Sequence, residues 1–205
     1  MKVLVLGATG PTGSLVVEAA RRAGHEITVL VRNPSGLAGP DGLHVLTGDA
    51  RVAHDVSAAL EGQQALISAL GGGSSTKTTI ASEAAAVFIP AAERLGVARV
   101  VVLSAFGVGD SRASADLQQR AIFSLAMKTV FADKDAADRA LRASSLDWTL
   151  LYPVTLDKKP ATGAVHVGDA PKMHGLPTVS RADVAEQLVL ALERPDWSRR
   201  TLVVS

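Results

Sequence analysis

The stretch Val3-Leu-Val-Leu-Gly7-Ala-Thr-Gly10-Pro-Thr-Gly13 decides the fold. Four branched apolar residues, Val3 to Leu6, read as a strand buried on both faces, as in a parallel sheet. Gly7, Gly10 and Gly13 follow at three-residue spacing, and Ser14 to Arg22 continues with helical periodicity. Strand, glycine loop and helix is the order that a dinucleotide requires. Gly7 permits the tight turn, Gly10 lets the backbone approach a pyrophosphate, and Gly13 lets the helix pack against the strand. Thr9, Pro11 and Thr12 complete the loop. The N–H groups of the helix's first turn then face the phosphates, and the helix dipole favours their charge.

The rest of the chain fits that beginning. Its 205 residues suffice for one domain with a large core, so residues 1–205 are expected to form a single dinucleotide-binding unit. Apolar residues make up 47% and aromatic ones only 3%, which makes the core aliphatic. Lys and Arg number 21 against 20 Asp and Glu, and this balance offers no surface for nucleic acid or a membrane. The absence of Cys excludes disulfides, thiolate metal sites and a cysteine nucleophile, and suits a reducing cytosol. With the first strand starting at residue 2 or 3 and no apolar run of bilayer length, a cytoplasmic protein is expected. A monomer or weak dimer is the expected assembly.

Outward from the loop, Glu26–Val31 reads as the second strand, followed by Arg32. NAD-specific sheets place an acid at about this position, on the ribose hydroxyls. Arg32 instead suits a 2′-phosphate by charge and planar fork, which favours NADP (NADPH), unless it is a solvated surface arginine. Leu43–Thr47 is the third strand, leading into Gly48-Asp49-Ala50. There Asp49 also has the place of an N-cap for a helix over Val52–Leu60. Ala65–Ser68 is the fourth strand. The loop behind it, Ala69 to Ser75, faces the crevice where strand order reverses, with Leu70 and Gly71 nearest the cofactor.

A helix over Thr79–Leu95 tolerates Pro90 and ends at Gly96. Arg99–Leu103 is the fifth strand, with Ser104, Ala105 and Phe106 at its carboxyl end, where doubly wound sheets place their chemistry. Asp110–Asp116 reads as a mobile loop, with helical pattern over Leu117–Met127 and again over Phe131–Ala143. Asp147–Tyr152, closed by Pro153, is the sixth strand, and a small strand fits Ala164–Val167. Ser180-Arg-Ala-Asp183 has capping-box spacing and opens a last helix through Leu192. Thr201–Val204 is a final strand at the sheet edge. The expected fold is a Rossmann-type doubly wound parallel sheet, order 3-2-1-4-5-6 plus an edge strand. Substrate-side loops are expected at about 104–116 and 154–179.

Other chemistries find little support. No G-x-S-x-G elbow occurs, and His44, His54, His166 and His174 are isolated from carboxylates at metal-ligand spacing. Tyr152, the single tyrosine, is followed four residues later by Leu156, so no Tyr-x-x-x-Lys pair exists. A simple ketone needs a proton donor near its oxygen, whereas a flavin accepts hydride without one. The acceptors expected are therefore a flavin, a quinone or a similar flat conjugated molecule. Phe106, Leu156 and the 110–116 loop are expected to wall an apolar cleft.

The G-x-x-G-x-x-G spacing with Thr9 and Thr12 resembles the loop of extended and atypical short-chain dehydrogenases/reductases. Further matches are Val31-Arg32, Gly48-Asp49, Thr78-Thr79 with Ser82-Glu83, and Val101 to Phe106. With Leu141 to Leu150 and Thr162-Gly-Ala, these resemble the biliverdin reductase B (NADPH-flavin reductase) family and, equally, the wider NmrA-like NAD(P)H-binding group. The resemblance implies an adenine contact for Asp49 and Ala50, and places Ser104 beside the nicotinamide unless it is merely a strand-end hydroxyl. It implies a catalytic Lys134, paired with Asp138, and sets Pro153 among the cofactor contacts. Val154 departs from the pattern, standing where the flavin reductase has a histidine. The NmrA-like side of the resemblance implies an alternative: a non-catalytic NADP-binding redox sensor acting through a protein partner.

Overall fold

Runs of Val, Leu and Ile form the centre of an eight-stranded sheet in the computed structural model, which describes residues 1–72, 78–116, 119, 127–169 and 175–205. The strands are β1 (Lys2–Leu6), β2 (Glu26–Val31), β3 (His44–Thr47), β4 (Ala65–Ser68), β5 (Arg99–Leu103), β6 (Trp148–Pro153), β8 (Val167–Gly168) and β10 (Arg200–Val204). Two more, β7 (Thr155–Asp157) and β9 (Thr178–Ser180), pair separately. The main sheet runs β3-β2-β1-β4-β5-β6-β10-β8, parallel but for the antiparallel β8. The expected order 3-2-1-4-5-6 is present. Val3 to Leu6 and Ala65 to Ile67 are fully buried, as strands covered on both faces must be.

Helix α1 (Gly13–Arg22) packs against α5 (Arg181–Leu190), while α2 (Ala53–Leu60), α3 (Ile80–Leu95) and α4 (Lys128–Ala143) pack in sequence against one another. Asp133 of α4 caps α3, accepting from the Ala81 and Ser82 N–H groups at 3.0 and 2.9 Å. Gly96 ends α3 in the left-handed region, φ +68°, which explains the glycine there. Pro90 sits inside α3 on its exposed side. The N-cap half of the expected capping box is present at α5: Ser180 Oγ accepts from the Asp183 N–H at 2.9 Å and donates to the Asp183 carboxylate at 2.8 Å.

Several expectations require correction. The last strand is not at the edge, because β8 adds to it and the His166 and Ser205 backbones exchange hydrogen bonds of 2.8 and 3.0 Å beyond. The small strand expected at 164–167 is only Val167–Gly168. Residues 110–116 are not a loose loop. Gly109–Ser114 forms a 3-10 turn, with Ser111 Oγ accepting from the Gly107 N–H and donating to the Val108 carbonyl. Val52, not Asp49, stands at the N-cap of α2, and Asp55 reaches back to accept from the Asp49 N–H at 2.9 Å. Helix α4 begins at Lys128, earlier than its apolar periodicity suggests. The last helix turns 3-10 after Leu190. Residues 73–75, most of the helix expected over 117–127, and His174 lie outside the described residues.

Candidate functional site

The glycine loop closes on itself. Gly7 adopts φ +84°, and the Gly10 N–H donates to its carbonyl at 2.9 Å. A Cβ on Gly7 would meet the Ala69 carbonyl oxygen at 2.8 Å, since the chain leaving β4 passes directly over the turn. A Cβ on Gly13 would stand 2.0 Å from the Gly7 oxygen, so any side chain there would break the turn. Gly10 is different: its Cβ would meet nothing nearer than 3.2 Å, so the fold does not require glycine here as it does at Gly13. A Cβ there needs only a shift of a few tenths of an ångström in the Gly7 carbonyl, so this glycine, which lines the cleft, suits a position where backbone must approach a ligand. Helix α1 carries no acid in its first turn, and its N-cap Thr12 makes no side-chain capping bond. The positive end of the helix is therefore not answered by a local carboxylate. These residues fit a dinucleotide.

A cleft of about 650 Å³ opens above the carboxyl ends of β1, β2, β4, β5 and β6. It brings together Gly7, Thr9, Gly10, Pro11, Thr12, Arg32, Asp49, Ala50, Leu70, Gly71, Ser104, Lys134 and Pro153. Gly13 lies outside the lining, behind the turn. At one end Arg32 is exposed, and its charge helps to hold Asp49 in its ionised form. The larger cause is Arg51, whose Nε, Nη2 and backbone N–H donate to the Asp49 carboxylate at 3.0, 2.6 and 3.0 Å. Together they bring the Asp49 carboxyl down to about 2. Arg51 was not foreseen, although its position two residues after Asp49 offered the signal.

At the other end Ser104 is buried at the tip of β5, and its hydroxyl donates to Asp138 Oδ2 at 2.6 Å. The Tyr152 hydroxyl donates to the same oxygen at 2.7 Å and accepts from Arg142 at 2.8 Å. Burial raises the Asp138 carboxyl above the usual range, although Ser104, Tyr152, Lys134 and Arg142 all oppose that rise. Tyr152 is wholly buried and lines no part of the cleft; burial, then the Asp138 charge, push its phenol well above the ordinary value. Lys134 Nζ donates to the Leu103 carbonyl at 2.8 Å, and burial lowers its ammonium, with Asp138 and Asp133 acting the other way.

Phe106 and Leu156 line this end as expected, but residues 110–116 do not, held away in their 3-10 turn. Among the described residues Met127, Val130, Phe131, Leu176 and Pro177 add to the apolar wall, with Gln119 and Arg181 beside the cleft. Gln119 Nε2 donates to the Gly175 carbonyl at 2.7 Å, and the Gly175 N–H donates to Asp116 at 2.9 Å, which joins two segments distant in sequence. Among the described residues no three His, Asp or Glu side chains gather to hold a metal ion. None of the described helices is long and apolar enough to cross a membrane.

The chain resembles known proteins along nearly its whole length. It is 29% identical over 208 residues to the uncharacterized sugar epimerase YhfK of Bacillus subtilis, covering 98% of this chain and 92% of that one. ChuY from Escherichia coli O157:H7, an anaerobillin reductase, superposes with a TM-score of 0.83 at 27% identity over 100% of this chain and 96% of its own. A short-chain dehydrogenase/reductase of Veillonella parvula, solved in complex with NADP, shares the fold at a TM-score of 0.83 and 16% identity, covering 100% of this chain and 94% of that one. The model of the NAD(P)H-binding family matches residues 7–195, the span from the first loop glycine past α5. The chain belongs to that NAD(P)H-binding family.

Proposed function

We propose that this protein is an NADPH-dependent reductase of a flat conjugated acceptor, a flavin or a quinone, in the manner of the biliverdin reductase B family. One observation carries the reading. The cleft runs without a break from the glycine cradle, past Ser104, into a chamber walled by Phe106, Phe131 and Leu156 that contains no phenol. Gly7, Thr9, Gly10, Pro11 and Thr12 would hold the pyrophosphate, Arg32 the 2′-phosphate, Asp49 and Ala50 the adenine, and Leu70, Gly71 and Pro153 the nicotinamide side. NADPH supplies the hydride when bound. The chain's own task is to orient, to exclude water and to hold charge.

Ser104 spends its proton on Asp138 and keeps acceptor lone pairs for an N–H group in the cleft. Lys134, pinned to Leu103, sets a cation at the cleft floor. Burial makes the Lys134 ammonium a better acid than a free lysine, so the case for an acceptor that needs no acid rests on the missing phenol rather than on Lys134. Removing a proton from a sugar hydroxyl, as redox epimerisation requires, needs a base in the cleft, and Tyr152 is committed to Asp138 outside it. The reductase reading therefore has better support than an epimerase one, and the name borne by ChuY agrees with it.

NADPH oxidation, followed by its near-ultraviolet absorbance, tests the reading. Riboflavin or a quinone should drive oxidation and a simple aliphatic ketone should not. Ser104→Ala should cost about 0.5–1.5 kcal/mol of activation free energy, the worth of one positioning hydrogen bond. A loss of several orders of magnitude would make Ser104 a proton donor. Inertness toward flavins and quinones with intact NADPH binding would favour a redox sensor.

A further inference from the structure

Charge is unevenly placed in the acceptor half of the cleft. Among the described side chains lining it, Lys134 and Arg181 carry cationic groups and none is a carboxylate. Lys134 has Asp138 and Asp133 close enough to influence it. Arg181 has no such companion: among the described residues no carboxylate forms an ion pair with it. Asp183, two residues on, is taken up by the Thr162 and Gly163 N–H groups and the Thr162 and Ser180 hydroxyls.

The Arg181 guanidinium is also poorly satisfied. Its Nη1 donates to the Asp157 carbonyl at 2.8 Å, which ties the side chain to β7, and its Nε is buried with no hydrogen-bond partner. An arginine presents five donors in a fixed fork, and leaving buried ones unmet costs free energy. This one is half-buried, anchored at one corner, and lines the same cleft as Leu156, Leu176 and Pro177. Nε, being buried, is closed to a ligand, so an oxyanion would take two of the Nη donors not spent on Asp157.

We propose that Arg181 selects acceptors carrying an oxyanion at one end of a flat apolar body, and that this group docks on its guanidinium. The proposal rests on the reductase reading for the flat body, but concerns only the acidic arm. It makes Arg181 a specificity residue: it touches the part of the acceptor remote from the reacting atoms.

Paired probes test it by equilibrium binding in the presence of NADP. FMN and riboflavin share a ring and differ by a phosphate; anthraquinone-2-sulfonate and 2-(hydroxymethyl)anthraquinone share another and differ by a sulfonate. The anionic member of each pair should bind about tenfold more tightly, and Arg181→Ala or Arg181→Gln should erase that ratio. Arg181→Lys should restore part of it. Preference in the phosphate pair alone or the sulfonate pair alone, lost with Arg181, identifies the anion and still supports the docking role. Equal affinity within both pairs overturns the proposal and leaves the reductase reading standing. Binding of none of the four probes overturns both. A fall in NADPH affinity in both the Ala and Gln variants, with melting unchanged, would assign the guanidinium to the cofactor instead.

Discussion

Arg32 is the side chain on which the proposed preference for NADPH rests. It is exposed at the end of β2, lines the cleft and stands near enough to Asp49 to act on its charge. With its neighbour Asp49 claimed by Arg51, the Arg32 guanidinium forms no ion pair among the described residues and suits a 2′-phosphate. Arg32→Ala should weaken NADPH binding by about 1.5–3 kcal/mol, the range for hydrogen bonds to charged groups, and barely alter NADH binding in parallel titrations. Equal losses would make Arg32 structural. At this scale, what was readable from the sequence was what is local. Gly7, Gly10 and Gly13 carry their meaning in their spacing, and Arg32 in its distance from them. The bonds from Ser104 and Tyr152 to one oxygen of Asp138 join residues 34 and 14 positions apart, and no pattern along the chain announces such a meeting.

Elements differ in how they declare themselves, for physical reasons. Strands β1, β2, β4 and β5 are runs of four to six residues buried on both faces, so their composition alone identifies them. β7 and β9 have three residues each and exist because segments more than 20 residues apart pair, which no periodicity encodes. The start of α5 shows how such a region is held. Asp183 is buried, which by itself would raise its carboxyl, yet the Thr162 and Gly163 N–H groups and the Ser180 hydroxyl outweigh that and hold it below the usual range. A carboxyl lowered in the folded state contributes stability above its unfolded value and loses it as pH falls through the folded one. Asp183→Ala should therefore cost about 1.5–3 kcal/mol near neutral pH in urea unfolding. The gap to wild type should shrink below about pH 4. A gap independent of pH would mean that packing, not the charge, holds the 162–163 turn.

Over the whole molecule, the sheet reverses its order between β1 and β4, and the cleft lies there, as the sequence had indicated from one glycine loop. The far wall was less legible. Phe106 follows β5 and Leu156 stands three residues after the proline that closes β6, and the sequence points to both, but Met127, Leu176 and Arg181 come from segments that only the folded chain assembles. Every reading of the acceptor depends on the cradle at the near end being a dinucleotide site made of backbone. Calorimetric titration of NADPH into wild type and Gly10→Val tests this most directly. A Cβ at Gly10 would stand 3.2 Å from the Gly7 oxygen, which must give by a few tenths of an ångström, so a modest drop in melting temperature is expected, while the branched side chain occupies the space the pyrophosphate needs. Saturable binding by wild type and none by a folded Gly10→Val protein is the result predicted; tight NADPH binding by that folded variant would contradict it.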